Sequence, residues 1–325
     1  MDTYGRTVDY LRISVTDRCN ERCLYCMPEG YRGWQTRAEH LTFDEILRVV
    51  RVAAELGFRK FRLTGGEPLV REDLPDLVRR MRVVHGVERI GLSTNGTRLA
   101  GLAGVLRKAG VTTVNISLDA LDPERYRRIT GGQVQPVLDG IRATVSAGFE
   151  RVKLNAVLMR NVNESEIWPL VQFAAEQGLP LRLIELMPIT TKAALSDRNF
   201  YPVEEARRLL AQRDELIPQP SDYLGWGPAK YYRLRHIGAL VGFIGALTVP
   251  HFCETCNKLR LTADGKLRPC LGDHAEIDLR SALRNQLEDD TAMREALLDA
   301  LDRKPEQHHF RDRYTPCRPM TAIGG

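Results

Sequence analysis

The sequence lacks any apolar run long enough to cross a bilayer. Its longest uncharged apolar stretch, residues 237–249, is short and holds three glycines, so it reads as buried strand and turn. The first residues, Met1-Asp2-Thr3-Tyr4-Gly5-Arg6, lack the basic-then-apolar layout of a signal peptide, and a cytoplasmic protein is the expectation. Low-complexity tracts and internal repeats are also missing. Aromatic residues are few, at 7%, and no basic stretch is interleaved with them in the way that stacks nucleic-acid bases. Charge of one sign is scarce too: 47 Lys+Arg against 42 Asp+Glu leaves +5, which suits a small anionic ligand as well as a polymeric one. What is present is ordinary globular composition, 43% hydrophobic and 27% charged over 325 residues. That length accommodates one large α/β domain with an extension. Seven cysteines in a cytoplasmic protein point to metal ligands or reactive thiols rather than disulfides.

Strand-like runs at 10–15, 60–63, 89–92, 113–117, 151–157 and 181–186 alternate with amphipathic helical runs. One helix places Ile46, Val49, Val50 and Ala53 on one face, opens with a Thr42/Glu45 capping box and stops at Gly57. A second, from about Pro136, aligns Val137, Leu138, Ile141 and Val145. A third starts near Asn163, with Glu166 three residues on and Ile167, Leu170, Val171 and Ala174 on one face. Six β–α repeats imply a parallel sheet with right-handed crossovers, either curled into a partial or complete barrel or left open. The pattern changes after residue 212. A loop-like segment at 218–228 is followed by short strands, a charged helical stretch at 279–301 and a tail at 316–325 that reads as extended. The expected division is 1–212 for the barrel core and 213–325 for a C-terminal region.

The chemistry-bearing residues cluster. Cys19, Cys23 and Cys26 form C-x3-C-x2-C after the first strand. A structural zinc site normally closes with four protein ligands, whereas a 4Fe–4S cube on three thiolates keeps one iron open. An incomplete zinc site, or three unrelated buried thiols, would give the same spacing. Cys253, Cys256 and Cys270 form a second three-cysteine set, C-x2-C-x13-C, which His251 or His274 could complete as a zinc site; Cys317 reads as an ordinary thiol. Thr64-Gly65-Gly66-Glu67-Pro68 ends the second strand, and the glycines permit close backbone approach. Ser93-Thr94-Asn95-Gly96, Asn115 to Asp119, Lys153 to Asn155 and Glu185-Leu186-Met187 mark later strands. Polar residues thus gather at strand C-termini, the rim where parallel barrels build active sites. Lys258 and Arg260 alternate along a strand, so they share a face and could grip a polyphosphate.

The C-x3-C-x-aromatic-C pattern with Tyr25, followed by Gly65-Gly66-Glu67-Pro68, resembles the radical S-adenosylmethionine superfamily. With Cys253, Cys256 and Cys270, Asn257-Lys258-Leu259-Arg260 and the terminal Gly324-Gly325, the chain from about residue 5 to its end resembles the GTP 3′,8-cyclase family of molybdenum cofactor biosynthesis. The resemblance implies a TIM-type (β/α) barrel with a C-terminal cluster-binding extension, two 4Fe–4S clusters, and S-adenosylmethionine as cofactor. It implies a lyase that uses a 5′-deoxyadenosyl radical to take hydrogen from C3′ of GTP, after which C3′ attacks C8. One cluster would use Cys19, Cys23 and Cys26, and the other Cys253, Cys256 and Cys270. Tyr25, Gly66, Ser117 and Met187 would contact S-adenosylmethionine. Arg12, Arg62, Ser93, Lys153, Lys258, Leu259 and Arg260 would contact GTP, and Gly324 and Gly325 would reach into the active site. The family usually has threonine at Ser93 and arginine at Lys258; lysine keeps the charge but loses the planar fork. Implied partners are an electron donor such as flavodoxin or ferredoxin, the downstream cyclic pyranopterin monophosphate synthase and a second copy in a homodimer, with no nucleic acid or membrane. Rival readings are a peptide-modifying radical enzyme with an auxiliary cluster and a zinc-stabilised RNA-binding module.

Overall fold

Thr42 caps the first helix through the expected reciprocal pair. Its hydroxyl accepts the Glu45 amide at 3.1 Å, and the Glu45 carboxylate accepts the Thr42 amide at 2.7 Å. The helix, α1 (Phe43–Glu55), buries the predicted face and ends where Gly57 adopts φ +98°. In this computed structural model the described residues are 1–27, 31–36, 38–189, 197–220, 227–285, 289–312 and 314–324.

The strands are β1 (Tyr10–Ser14), β2 (Lys60–Thr64), β3 (Arg89–Thr94), β4 (Thr113–Ser117), β5 (Arg151–Leu158) and β6 (Leu181–Glu185), then β7 (Leu216–Pro218), β8 (Lys230–Leu234), β9 (Leu240–Ile244), β10 (Lys258–Leu261), β11 (Lys266–Arg268) and β12 (Ile277–Asp278). They form one sheet in the order β12-β11-β10-β1-β2-β3-β4-β5-β6-β9-β8-β7. The strands from β10 through β1–β6 to β9 are all parallel, and antiparallel hairpin strands lie beyond each end. Among the described residues the ladder does not close on itself, so the barrel is partial. The C-terminal strands sit at both ends of the same sheet: β10 pairs with β1, and β9 with β6.

The remaining helices are α2 (Leu74–Arg82), α3 (Leu99–Ala109), α4 (Pro123–Thr130), α5 (Val134–Ser146), α6 (Ile167–Glu176), α7 (Val203–Ala211), α8 (Leu279–Asn285), α9 (Thr291–Asp302) and α10 (Met320–Ile323). Alternation explains the two faces of the strands. In β5, Val152, Leu154, Ala156 and Leu158 are buried while Arg151, Lys153, Asn155 and Val157 face the interior chamber. In β1, Leu11 and Ile13 are fully buried and Tyr10 and Arg12 face the chamber. Each such buried Leu or Ile contributes about 1.5–3 kcal/mol relative to exposure.

Three expectations need correction. In α5, Val145 is 43% exposed and Thr144 is buried instead, because the helix begins at Val134 and its buried face runs through Gly140. The third helical run does start at Asn163, through a 3-10 turn (Glu164–Glu166) that leads into α6, but the Asn163 side chain does not cap it: its carboxamide accepts the Met159 amide, and Glu166 accepts the Leu121 amide from another loop. The stretch 279–301 is two helices, α8 and α9. The tail is not wholly extended, since α10 forms within it and buries Met320, Ala322 and Ile323. No helix among the described residues is long and apolar enough to cross a membrane.

Candidate active site

Register sets the chamber's charges side by side. Arg12 on β1 lies opposite Arg62 on one neighbour and Arg260 on the other. Arg62 in turn faces Gly91 on β3. A Cβ at Gly91 would fall 2.6 Å from Arg62 Nη2, so the missing side chain makes room for the guanidinium. That group is then fixed by the Tyr10 hydroxyl, the Leu92 carbonyl at 2.6 Å and Thr113 Oγ1 at 2.9 Å. The next rung aligns Ser93, Asn115 and Lys153. Burial, aided by Arg182, Arg151 and Arg62, pushes the Lys153 ammonium down to about 6. Burial and Arg260 likewise pull Arg12 down to about 9. Concentrated, desolvated cations of this kind favour a polyanionic ligand.

The first cysteine set stands at the opposite pole. The loop before Cys19 packs on Gly65-Gly66: the Gly66 amide donates to the Thr16 carbonyl and the Glu67 amide to the Arg18 carbonyl, both at 2.8 Å. Gly65 has φ +144°, and a Cβ on either glycine would strike those carbonyls. Glu67 is 1% exposed and accepts bonds from the Leu69 and Asn95 amides and from Thr94 Oγ1. Burial nevertheless raises it to about 7. The Tyr25 hydroxyl donates to Asp119 at 2.7 Å, and burial raises Asp119 to about 6. Burial raises Glu21 to about 7, and the Tyr126 hydroxyl donates to it at 2.8 Å. Among these acids, burial pushes Cys19 and Cys26 up to about 12 and Cys23 well above its usual range.

All six cysteines of the two sets line one cavity of about 470 Å³, and none is in a disulfide. Tyr25, Gly66, Ser117 and Met187 line it, as do Arg12, Arg62, Ser93, Lys153, Lys258 and Arg260. Leu259 does not; its side chain is fully buried in the core on the other face of β10. Arg260 Nη1 donates to the Gly324 carbonyl at 2.5 Å, which brings the tail to the cavity wall beside Met320 and Thr321. Gly325 lies outside the described residues. Neither histidine offered for a zinc site lines the cavity. His251 is exposed and bonded to Glu254, and His274 stacks on Tyr314 beside Cys317. Among the described residues no three Cys, His, Asp or Glu converge tightly enough for a single metal ion. Each set offers three free thiols to the cavity, the donor set that a 4Fe–4S cube with one open iron takes.

The reading from sequence missed Tyr10, Lys60, Arg182 and Lys304. Arg182 was legible: it alternates with buried Leu181 and Leu183 and so faces inward. Its Nε donates to Asn155 at 2.7 Å.

The fold and this site define a radical S-adenosylmethionine protein: the family model described as Radical SAM superfamily matches residues 13–174, and Molybdenum Cofactor Synthesis C matches 179–310. Such a protein uses a 4Fe–4S cluster and S-adenosylmethionine. Across its full length the chain is 45% identical to the GTP 3′,8-cyclase of Pelotomaculum thermopropionicum, covering 100% of this chain and 99% of the relative. It is also 45% identical to that of Moorella thermoacetica, with the same coverage of 100% and 99%. The chain belongs to the GTP 3′,8-cyclase family. The fold is shared with SuiB of Streptococcus suis, solved bound to S-adenosylmethionine, at TM-score 0.63 and 17% identity over 89% of this chain and 68% of that one.

Proposed function

We propose that this chain converts GTP to (8S)-3′,8-cyclo-7,8-dihydroguanosine 5′-triphosphate, the first step of molybdopterin biosynthesis. The observation that carries the reading is one cavity with two three-thiol sets in opposite electrostatic surroundings. Carboxylates surround the first set, where a sulfonium cofactor of net positive charge would sit. Cations surround the second, where a nucleotide triphosphate would sit.

Cys19, Cys23 and Cys26 would hold the cluster that supplies the electron to split S-adenosylmethionine. Tyr25, Gly66, Ser117 and Met187 would position that cofactor. Arg12, Arg62, Lys153, Lys258 and Arg260 would hold the triphosphate, Ser93 would offer a hydroxyl, and the backbone at Leu259 would complete the β10 wall. Cys253, Cys256 and Cys270 would hold a second cluster against the guanine. Hydrogen leaves C3′ of the ribose on 5′-deoxyadenosine, the C3′–C8 bond forms, and one electron and one proton restore the composition of GTP. Closeness of the reacting carbons is what the cavity supplies. Gly324 and Gly325 would close its wall. Both electrons, the one that splits S-adenosylmethionine and the one that completes the cyclised product, would come from a flavodoxin or ferredoxin, the product would pass to cyclic pyranopterin monophosphate synthase, and the enzyme would work in the cytoplasm as a homodimer.

Anaerobic reconstitution with iron and sulfide, then incubation with GTP, S-adenosylmethionine and reductant, tests this. Methionine, 5′-deoxyadenosine and the cyclised nucleotide are expected together. Deoxyadenosine that forms with no change in the GTP pool would sink the assignment.

A further inference from the structure

Lys304 follows α9 and is 2% exposed. Its ammonium makes three contacts: the Lys258 carbonyl at 2.9 Å, the Pro269 carbonyl at 2.9 Å and Cys256 Sγ at 3.4 Å. All three donors are thus used, and none of the acceptors is a carboxylate. A buried ammonium without a counter-charge is costly, so an anion is expected against it. The only acceptor here able to become one is Cys256.

The contacts are also placed to hold a shape. Lys258 lies two residues after Cys256, and Pro269 immediately precedes Cys270. One side chain therefore ties both arms of the C-x2-C-x13-C set. Arg6 reinforces it from the other side, donating to the Cys253 carbonyl at 3.2 Å and to the Pro305 and Glu306 carbonyls at 2.7 Å each. Asp2 fixes Arg6 at 2.6 Å. At the first set Arg22 donates to the Cys19 carbonyl at 2.8 Å, but among the described residues no side-chain cation bonds a thiol there: Cys19 Sγ accepts the Glu21 amide at 3.5 Å.

We propose that Lys304 is a positioning residue of the second cysteine set: its buried ammonium joins the two arms of that set and, through the bond to Cys256 Sγ, raises the reduction potential of the iron–sulfur core held there. This rests on the reading of the second set as a cluster site. A hydrogen bond and a positive charge at a ligand sulfur both stabilise the reduced core, which carries one more negative charge.

The test is an electron paramagnetic resonance redox titration of reconstituted full-length enzyme, wild type against Lys304→Met and Lys304→Gln, with iron counted in each. The first set's signal, identified by its loss in Cys19→Ser, serves as internal reference. In Lys304→Met the second core's midpoint should move negative, raising its oxidised-to-reduced ratio at the wild-type midpoint about tenfold. Lys304→Gln, a neutral donor, should fall between, and the first core should not move. If Met costs the second core its iron, the Gln variant carries the same comparison. Two cores in wild type with an unmoved second midpoint in the variants would overturn the role of Lys304 alone. Only one core in wild type would overturn the reading of the second set, and this inference with it.

Discussion

Two three-cysteine sets share one cavity and almost nothing else. Around Cys19, Cys23 and Cys26 stand Glu21, Glu67 and Asp119, and every thiol is pushed up. Around Cys253, Cys256 and Cys270 stand Lys258, Arg260 and Lys304. There burial still pushes Cys253 and Cys270 up, but against its own burial the cations Lys304 and Lys258 bring Cys256 down to about 7. Identical ligands in opposite fields cannot be equivalent. The difference teaches that spacing identifies a ligand set, whereas the neighbours decide which small molecule it meets.

The largest effect expected from breaking the comparison is at the ligands themselves. Cys19→Ser should abolish 5′-deoxyadenosine formation, while Cys253→Ser should keep deoxyadenosine and lose cyclised nucleotide; product chromatography on both variants reads this. Equal losses of both products in both variants would mean the sets are not divided in role. Next, Arg260→Ala should weaken GTP binding by about 10- to 100-fold, the worth of a charge-assisted bond of roughly 1.5–3 kcal/mol. Affinity for S-adenosylmethionine should stay within about twofold. Calorimetry on each ligand separates the two, and an unchanged GTP affinity counts against the cationic wall.

The pH slopes should have opposite signs. Lys153 titrates near 6 in the free protein, and a bound anion favours its charged form. Nucleotide binding then takes up a proton above pH 6, so affinity falls as pH rises, by up to about tenfold per unit. Lys153→Met should flatten that slope. Glu21 near 7 and Asp119 near 6 line the cavity and must ionise to face a cation. Cofactor binding then releases protons and strengthens as pH rises toward 7, levelling off above. Parallel slopes for the two ligands would contradict the division. The smallest effect is at Gly91→Ala, where the new methyl displaces Arg62. Stability should fall by about 1–3 kcal/mol in denaturant unfolding, with modestly weaker GTP binding.

Much of this was legible along the chain because it is local. The capping box at Thr42, the strand alternation that makes Lys258 and Arg260 share a face, and the six strand-end motifs each need only neighbours in sequence. The parts that escaped depend on distant segments meeting. Thr144 rather than Val145 is buried because of how α5 sits against α3, and Glu166 serves a loop 45 residues earlier. Lys304 carries no local mark at all: it meets Cys256 across 48 residues. The registers that set Arg12 beside Arg260, and the attachment of β9 and β10 at the two ends of the parallel array, are tertiary facts of the same kind.

That attachment bears on how the protein is made. The rims of the N-terminal array present unpaired backbone until the last third of the chain arrives to cover them. A ribosome paused before β9 would expose two sticky edges at once, inviting association with other nascent chains. Synthesis to near the C-terminus, rather than folding of an independent first half, is then the event that makes the molecule safe, and truncated products should aggregate rather than persist as half-enzymes.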